Sequence, residues 1–199
     1  MFTVPRALPP QVTAPVVAVL ARLGVTPSQL TFLQLLGGIV AGVVIASGEL
    51  AWGGVVLLAS ATLDAFDGAL ARATGRVTRF GGVFDSTVDR LFEGAVLAGV
   101  LYYYLDRGGK EESLLVFAAM VGSLCVSYVR ARAEVEGVSL YDGLFTRAVR
   151  LLFLTAGLVL NVLSVVLWLL AVMTLLTVAQ RLFVVWLRLR DVEPGGAGR

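Results

Sequence analysis

The stretch Asp64-Ala65-Phe66-Asp67-Gly68-Ala69-Leu70-Ala71-Arg72, continued after eight residues by Gly81 and then by Asp85 and Asp89, decides how the rest of the chain is read. Its four aspartates stand in an otherwise overwhelmingly apolar sequence. A carboxylate at membrane depth is costly and by default marks function. Asp64 and Asp67 are three apart and Asp85 and Asp89 four apart, so each pair shares one helix face. Arg72 falls two turns after Asp64 on that face, and Gly81 one turn before Asp85. Gly68 and Gly81 leave the acids without bulky neighbours, so a large ligand can come close. Two helices that each offer a carboxylate pair make an all-oxygen site suited to a hard divalent cation, Mg²⁺ held by carboxylates and phosphate oxygens being the usual arrangement. The competing reading is a salt-bridge network with Arg72, Arg76, Arg79 and Arg90. Like charges one turn apart repel, and such a network would alternate sign rather than double it.

The 199 residues are 58% hydrophobic with a mean hydropathy of +0.88, above the apolar share of soluble domains. The expected fold is therefore an all-α integral membrane protein of a single domain, residues 1–199. The absence of histidine removes imidazole acid–base chemistry, Ser-His-Asp triads and His-ligated zinc. A lone Cys125 removes intramolecular disulfides and cysteine metal clusters, and reads as an inert buried thiol.

Working outward, residues 1–25 read as an N-terminal interfacial segment: a polar, Pro-containing start, then a short apolar helix from Ala14 to Leu23 that is too short to span a bilayer. Six longer runs follow, at 30–47, 50–72, 83–105, 114–133, 147–162 and 164–187, and these predict six transmembrane helices, with the connection at Asn161 tight. Gly37, Gly38 and Gly42 predict close helix packing within the chain. The tail, residues 191–199, is charged and Gly-rich and reads as disordered. Of the 16 Lys and Arg, only Arg107 and Lys110 fall in odd-numbered connections, so the positive-inside rule puts both termini and the four aspartates on the cytoplasmic side.

A second constellation is basic. Arg130 and Arg132 end the fourth run, Arg147 and Arg150 begin the fifth one helical turn apart, and Arg181 follows Gln180 in the sixth. Arginine stays charged and grips phosphate through a planar fork, which suits an anionic small molecule. Anchoring to lipid headgroups is the alternative, and is preferred for Arg188 and Arg190.

The acidic stretch resembles the signature of the CDP-alcohol phosphotransferase family, D-x2-D-G-x2-A-R-x8-G-x3-D-x3-D, at all eight fixed positions. The run Tyr-Val-Arg-Ala-Arg-Ala-Glu ending the fourth helix, then Arg-x2-Arg, then Gln-Arg, resembles the branch of that family that makes phosphatidylinositol phosphate. Arg130, Thr146 and Ala148 stand where that branch usually carries Lys, Glu and Pro. The resemblance implies a membrane enzyme that transfers a phosphatidyl group from CDP-diacylglycerol, or its archaeol counterpart, to the hydroxyl of a phosphorylated polyol. Inositol phosphate is the favoured acceptor, and CMP is released. It implies one or two Mg²⁺ or Mn²⁺ ions on Asp64, Asp67 and Asp85, with Asp89 counted as a further metal ligand and as the base that takes the proton from the acceptor. Gly68, Ala71, Arg72 and Gly81 would contact the donor nucleotide, as would Ser28, Thr31 and Thr78 unless these are caps or packing hydroxyls. The acceptor phosphate would fall to Arg130, Arg132, Arg147, Arg150 and Arg181. A homodimer in the lipid bilayer and no nucleic-acid partner are expected. A phosphatidylglycerophosphate synthase using glycerol 3-phosphate fits the same arginines, and an ion-coupled transporter is the alternative from another class.

Overall fold

The computed structural model describes residues 10–140, 143 and 145–192. Seven helices follow one another: α1 (Pro10–Arg22), α2 (Pro27–Ala46), α3 (Leu50–Ala73), α4 (Arg79–Asp106), α5 (Lys110–Val135), α6 (Arg147–Val159) and α7 (Leu163–Val192). The expected all-α membrane architecture is present, one helix per apolar run after the N-terminal one. The polar start at 1–9 lies outside the described residues. So does most of the expected tail, although α7 itself runs on through Val192.

Among the described residues, α2, α3, α5 and α7 are long and apolar enough to cross a membrane. Of the helices after α1, α4 and α6 differ for separate reasons. At 28 residues α4 is long enough, but Asp85, Asp89, Arg90 and Glu93 dilute its hydropathy. α6, at 13 residues, is shorter than the roughly 20 that a straight span needs.

Local chemistry sets the helix ends. Thr26 caps α2 in a reciprocal box: its hydroxyl accepts from the Gln29 amide at 3.3 Å, and the Gln29 side chain accepts from the Thr26 amide at 2.8 Å. α3 stops at Gly75, whose φ of 66° is left-handed, and Arg76 N–H then bonds back to the Ala71 carbonyl at 3.0 Å. Thr78 caps α4, its hydroxyl accepting from Gly81 N–H at 2.9 Å. The tight connection expected at Asn161 is a turn with Asn161 itself at φ 57°, a conformation asparagine tolerates better than most residues.

The chain forms two compact units, Met1–Tyr103 and Tyr104–Arg199. In the first, α2 is the central helix and its glycines are the points of contact. A Cβ on Gly37 would lie 2.1 Å from Ser60 Oγ of α3, and one on Gly53 of α3 would lie 2.3 Å from Ile45 of α2, so these two helices pack antiparallel. Against α4 the register is parallel: a Cβ on Gly38 would meet the Phe92 ring at 2.5 Å, and one on Gly42 the Ala95 carbonyl at 2.5 Å. From the other side, a Cβ on Gly99 would lie 2.2 Å from the Gly42 carbonyl oxygen, backbone against backbone. The predicted glycine packing is thus within the chain, and it brings three helices together more closely than side chains would allow. α1 closes one end of this unit, where Val17 is buried with Leu30 and Leu70, and Phe66 and Ala69, on either side of Asp67-Gly68, pack against that cluster.

In the second unit α5 packs on α7, a Cβ on Gly122 meeting Thr174 Oγ1 at 2.3 Å, and α6 packs on α7 through Gly157 and Val166. Ala133, Val138 and Leu140 are buried with Val184, Val185 and Leu189 against them, tying the segment after α5 to the end of α7.

Candidate active site

The acid site is built where α3 ends and α4 begins, and the short connection through Gly75 makes them neighbours. Carboxylate oxygens of Asp64, Asp67 and Asp85 lie within 4.8 Å of one another, Asp67 buried and the other two half-buried. Three carboxylates this close repel strongly unless a counter-charge or protons are supplied. The donor set is all oxygen and anionic, so the residues present fit a hard divalent cation. Asp89, one turn beyond Asp85, is not part of this trio.

α2 reaches both acid-bearing helices. Thr31 Oγ1 donates to Asp67 Oδ2 at 2.8 Å in a buried contact that continues the antiparallel register of α2 on α3. Thr31, expected beside the nucleotide unless a cap or packing hydroxyl, bonds an acid of the trio. Thr78 is the cap of α4. Ser28 is exposed in the first turn of α2. Arg72 is exposed, and its guanidinium lies over Gly68, where a Cβ would stand 3.4 Å from Nη1. Ala71 and Gly81 are half-buried on the two helices that carry the acids. Arg90, offered as a salt-bridge partner, approaches Asp89 Oδ2 only to 3.8 Å and directs an N–H to the Ser86 carbonyl.

Two polar residues of this region escaped the sequence reading. Gln34 of α2 is fully buried, and its amide Nε2 lies 3.4 Å from Asp89 Oδ1. Glu93, one turn after Asp89, is buried at 7% exposure. The available signal was a lone amide four residues before Gly38 and a fifth acid in step with Asp85 and Asp89.

The arginine site belongs to the second unit and is held differently. Arg150, at the start of α6, is buried and donates from Nη1 to the Phe145 carbonyl at 3.2 Å. Arg181 of α7 is buried and donates from Nη1 to the Val126 carbonyl at 2.7 Å, while its Nε is buried without a hydrogen-bond partner among the described residues. Gly143 lies against this guanidinium: a Cβ there would stand 2.8 Å from Nη2. Arg147 is half-buried on α6. Arg130 and Arg132 are exposed and each pairs with a glutamate one turn on, Arg130 with Glu134 at 2.9 Å and Arg132 with Glu136 at 2.5 Å. Arg188, expected to anchor headgroups, donates to the Ser139 carbonyl at 2.6 Å, and Arg190 lies over the Trp186 ring at 5.5 Å. The five expected phosphate arginines thus divide into Arg147, Arg150 and Arg181, in whole or in part buried, and Arg130 and Arg132, paired in solvent.

Comparison with known proteins gives consistent matches. Residues 24–186 match the CDP-alcohol phosphatidyltransferase family. The phosphatidylinositol phosphate synthase of Mycobacteroides abscessus is 39% identical, covering 88% of this chain and 84% of that one. The archaetidylinositol phosphate synthase of Pyrococcus horikoshii is 37% identical over 82% and 85%. The crystal structure of Mycobacterium tuberculosis phosphatidylinositol phosphate synthase with CDP-DAG bound superposes with a TM-score of 0.84 at 32% identity, covering 95% of this chain and 98% of that one. The same protein in complex with manganese and citrate gives 0.81 at 33%, covering 94% and 92%. An acid trio fit for a metal, the eight-residue signature and a match over most of the length all place this chain in the CDP-alcohol phosphatidyltransferase family.

Proposed function

We propose that the protein transfers the phosphatidyl group of CDP-diacylglycerol to a hydroxyl of a phosphorylated polyol, inositol phosphate first among them, and releases CMP. The observation that carries the acceptor's phosphate is the burial of Arg150 and Arg181, two permanent cations taken out of water, the Nε of Arg181 having no hydrogen-bond partner among the described residues. A buried guanidinium is costly without an anion, and a dianionic phosphate is the ligand that matches its fork.

Asp64, Asp67 and Asp85 would hold Mg²⁺ or Mn²⁺, one or two ions, with Asp89 bordering them. When bound, such an ion supplies charge stabilisation for the pyrophosphate and for the departing CMP. The chain's own residues do the rest. Asp89 takes the proton of the acceptor hydroxyl as its oxygen forms a bond to the lipid-linked phosphorus, and the phosphorus–oxygen bond to CMP breaks, the electron pair leaving with CMP. Thr31 orients Asp67 through its hydroxyl. Arg72 over Gly68 offsets phosphate charge, and the bare backbone at Gly68 and Gly81, with the small Ala71, leaves room for cytidine and ribose. Arg147, Arg150 and Arg181 hold the acceptor phosphate. Arg130 and Arg132 join by exchanging exposed carboxylate partners, an exchange that costs little because such pairs are worth about 0–1 kcal/mol.

In the membrane, α2 to α7 are the six transmembrane helices, α6 the short one, with α1 on the surface; residues 1–199 are a single domain, the acids face the cytoplasm and the protein is a homodimer. Family membership favours transfer over ion-coupled transport. The test is CMP release from CDP-diacylglycerol, and from CDP-archaeol, with inositol phosphate, glycerol 3-phosphate, free inositol and serine. Fastest release with inositol phosphate supports the proposal. Preference for glycerol 3-phosphate keeps the phosphate site but changes the acceptor, and preference for an unphosphorylated alcohol overturns it.

A further inference from the structure

Gln34 is out of place in α2, a helix whose other buried positions include Leu30, Gly38, Ala41, Gly42 and Ile45. It is wholly inaccessible to solvent. Its amide nitrogen lies 3.4 Å from Asp89 Oδ1, and its Oε1 is buried with no hydrogen-bond partner among the described residues. The orientation of the amide follows from the chemistry: an ionised carboxylate only accepts, so the NH₂ end must face Asp89. A buried carbonyl left without a donor is destabilising, and a fold that keeps one gains something else from that residue.

The position is set by helix packing. Gln34, Gly38 and Gly42 recur every four residues on one face of α2. Gly38 meets Phe92 and Gly42 meets Ala95 in parallel register on α4, and Gln34 opposite Asp89 is the next step of the same ladder. Glycine at the two upper steps brings the helix axes close, which lets an amide reach across at the third. Both partners stand on rigid helices, where a side chain holds its geometry better than on a loop.

We infer that Gln34 is a positioning residue for the reaction: it fixes the rotamer of Asp89 through Oδ1. This rests on the reading of Asp89 as the base. As a neutral amide it orients the carboxylate without adding charge beside it, where lysine would pair with the base and glutamate would repel it.

The test is Gln34→Met, close in size and apolar. It removes the hydrogen bond and the orphan carbonyl together, so the fold should not suffer. Expected are a kcat lower by about ten-fold, the size of one hydrogen bond to a charged group, donor and acceptor KM within about two-fold, and a Tm in chelator equal to or above that of the parent. In an Asp89→Asn background the substitution should cost no further rate, because the two residues act as one unit. An unchanged kcat overturns the inference, as does a rate loss matched by a fall in Tm, which would make Gln34 a packing residue. Asp89→Asn alone separates the two readings. If it retains activity the base assignment fails, and if it is inactive while Gln34→Met is fully active only the role of Gln34 fails.

Discussion

The acid end of the first unit and the arginine end of the second are assembled on opposite plans. The acids come from one contiguous stretch of 26 residues, Asp64 to Asp89, and stand on two helices joined by a turn. Their geometry is secured by close helix packing, Gly37 of α2 against Ser60 of α3, Gly38 against the Phe92 ring of α4, and Gly42 against the α4 backbone at Ala95 and Gly99. The arginines come from three separated segments, and the buried ones are secured by N–H donation to main-chain carbonyls, Arg150 to Phe145 and Arg181 to Val126. A site that gathers like charges around a cation must be rigid enough to resist their repulsion, whereas a guanidinium carries five donors and can spend one on its own support while keeping the rest for a ligand.

The difference predicts how each end breaks. The largest effect belongs to the acids. Asp67→Asn or Asp85→Asn should reduce CMP release to background, and excess chelator should do the same to the parent protein with recovery on adding Mn²⁺ or Mg²⁺. Full activity in chelator would remove the metal from the account.

Next comes the packing beneath the acids. Gly99→Ala forces a methyl into the Gly42 backbone, which has no rotamer to yield, and should cost about 1–3 kcal/mol of stability along with activity. Gly122→Ala in the second unit meets the Thr174 side chain instead, and should cost less on thermal unfolding in detergent. Equal losses would say that the first unit is not the more tightly built.

Smaller still is the loss of one buried arginine. Arg181→Ala should raise the acceptor KM about ten-fold or more, one charge-assisted contact being worth roughly 1.5–3 kcal/mol. The smallest effect is at Arg132, exposed and paired with Glu136. Arg132→Ala should raise acceptor KM by less than about five-fold, because a phosphate contact made in solvent is worth about 0–1 kcal/mol. The reverse ranking would put the phosphate at the solvent-facing arginines.

Much of this was legible in the chain. The acid spacing announced both helices and the face each pair shares, the glycines of α2 announced close packing, and Asn161 marked the tight connection. The polar partners on α2 were not legible, for a physical reason: Thr31 and Gln34 lie in an apolar run, and their purpose depends on which helix faces them. The ranking of the arginines was hidden likewise, since Arg130 and Arg150 look alike in sequence and differ only once Glu134 and the Phe145 carbonyl take their places. α4 and α6 show the limit of hydropathy, because one carries the acids and the other is short.

The two ends divide the labour of binding, and kinetics can read that division. Donor and acceptor KM should be measured separately in Arg150→Ala. A rise in acceptor KM of about ten-fold with the donor KM unchanged is the result predicted. A rise in donor KM with acceptor KM unchanged would contradict it.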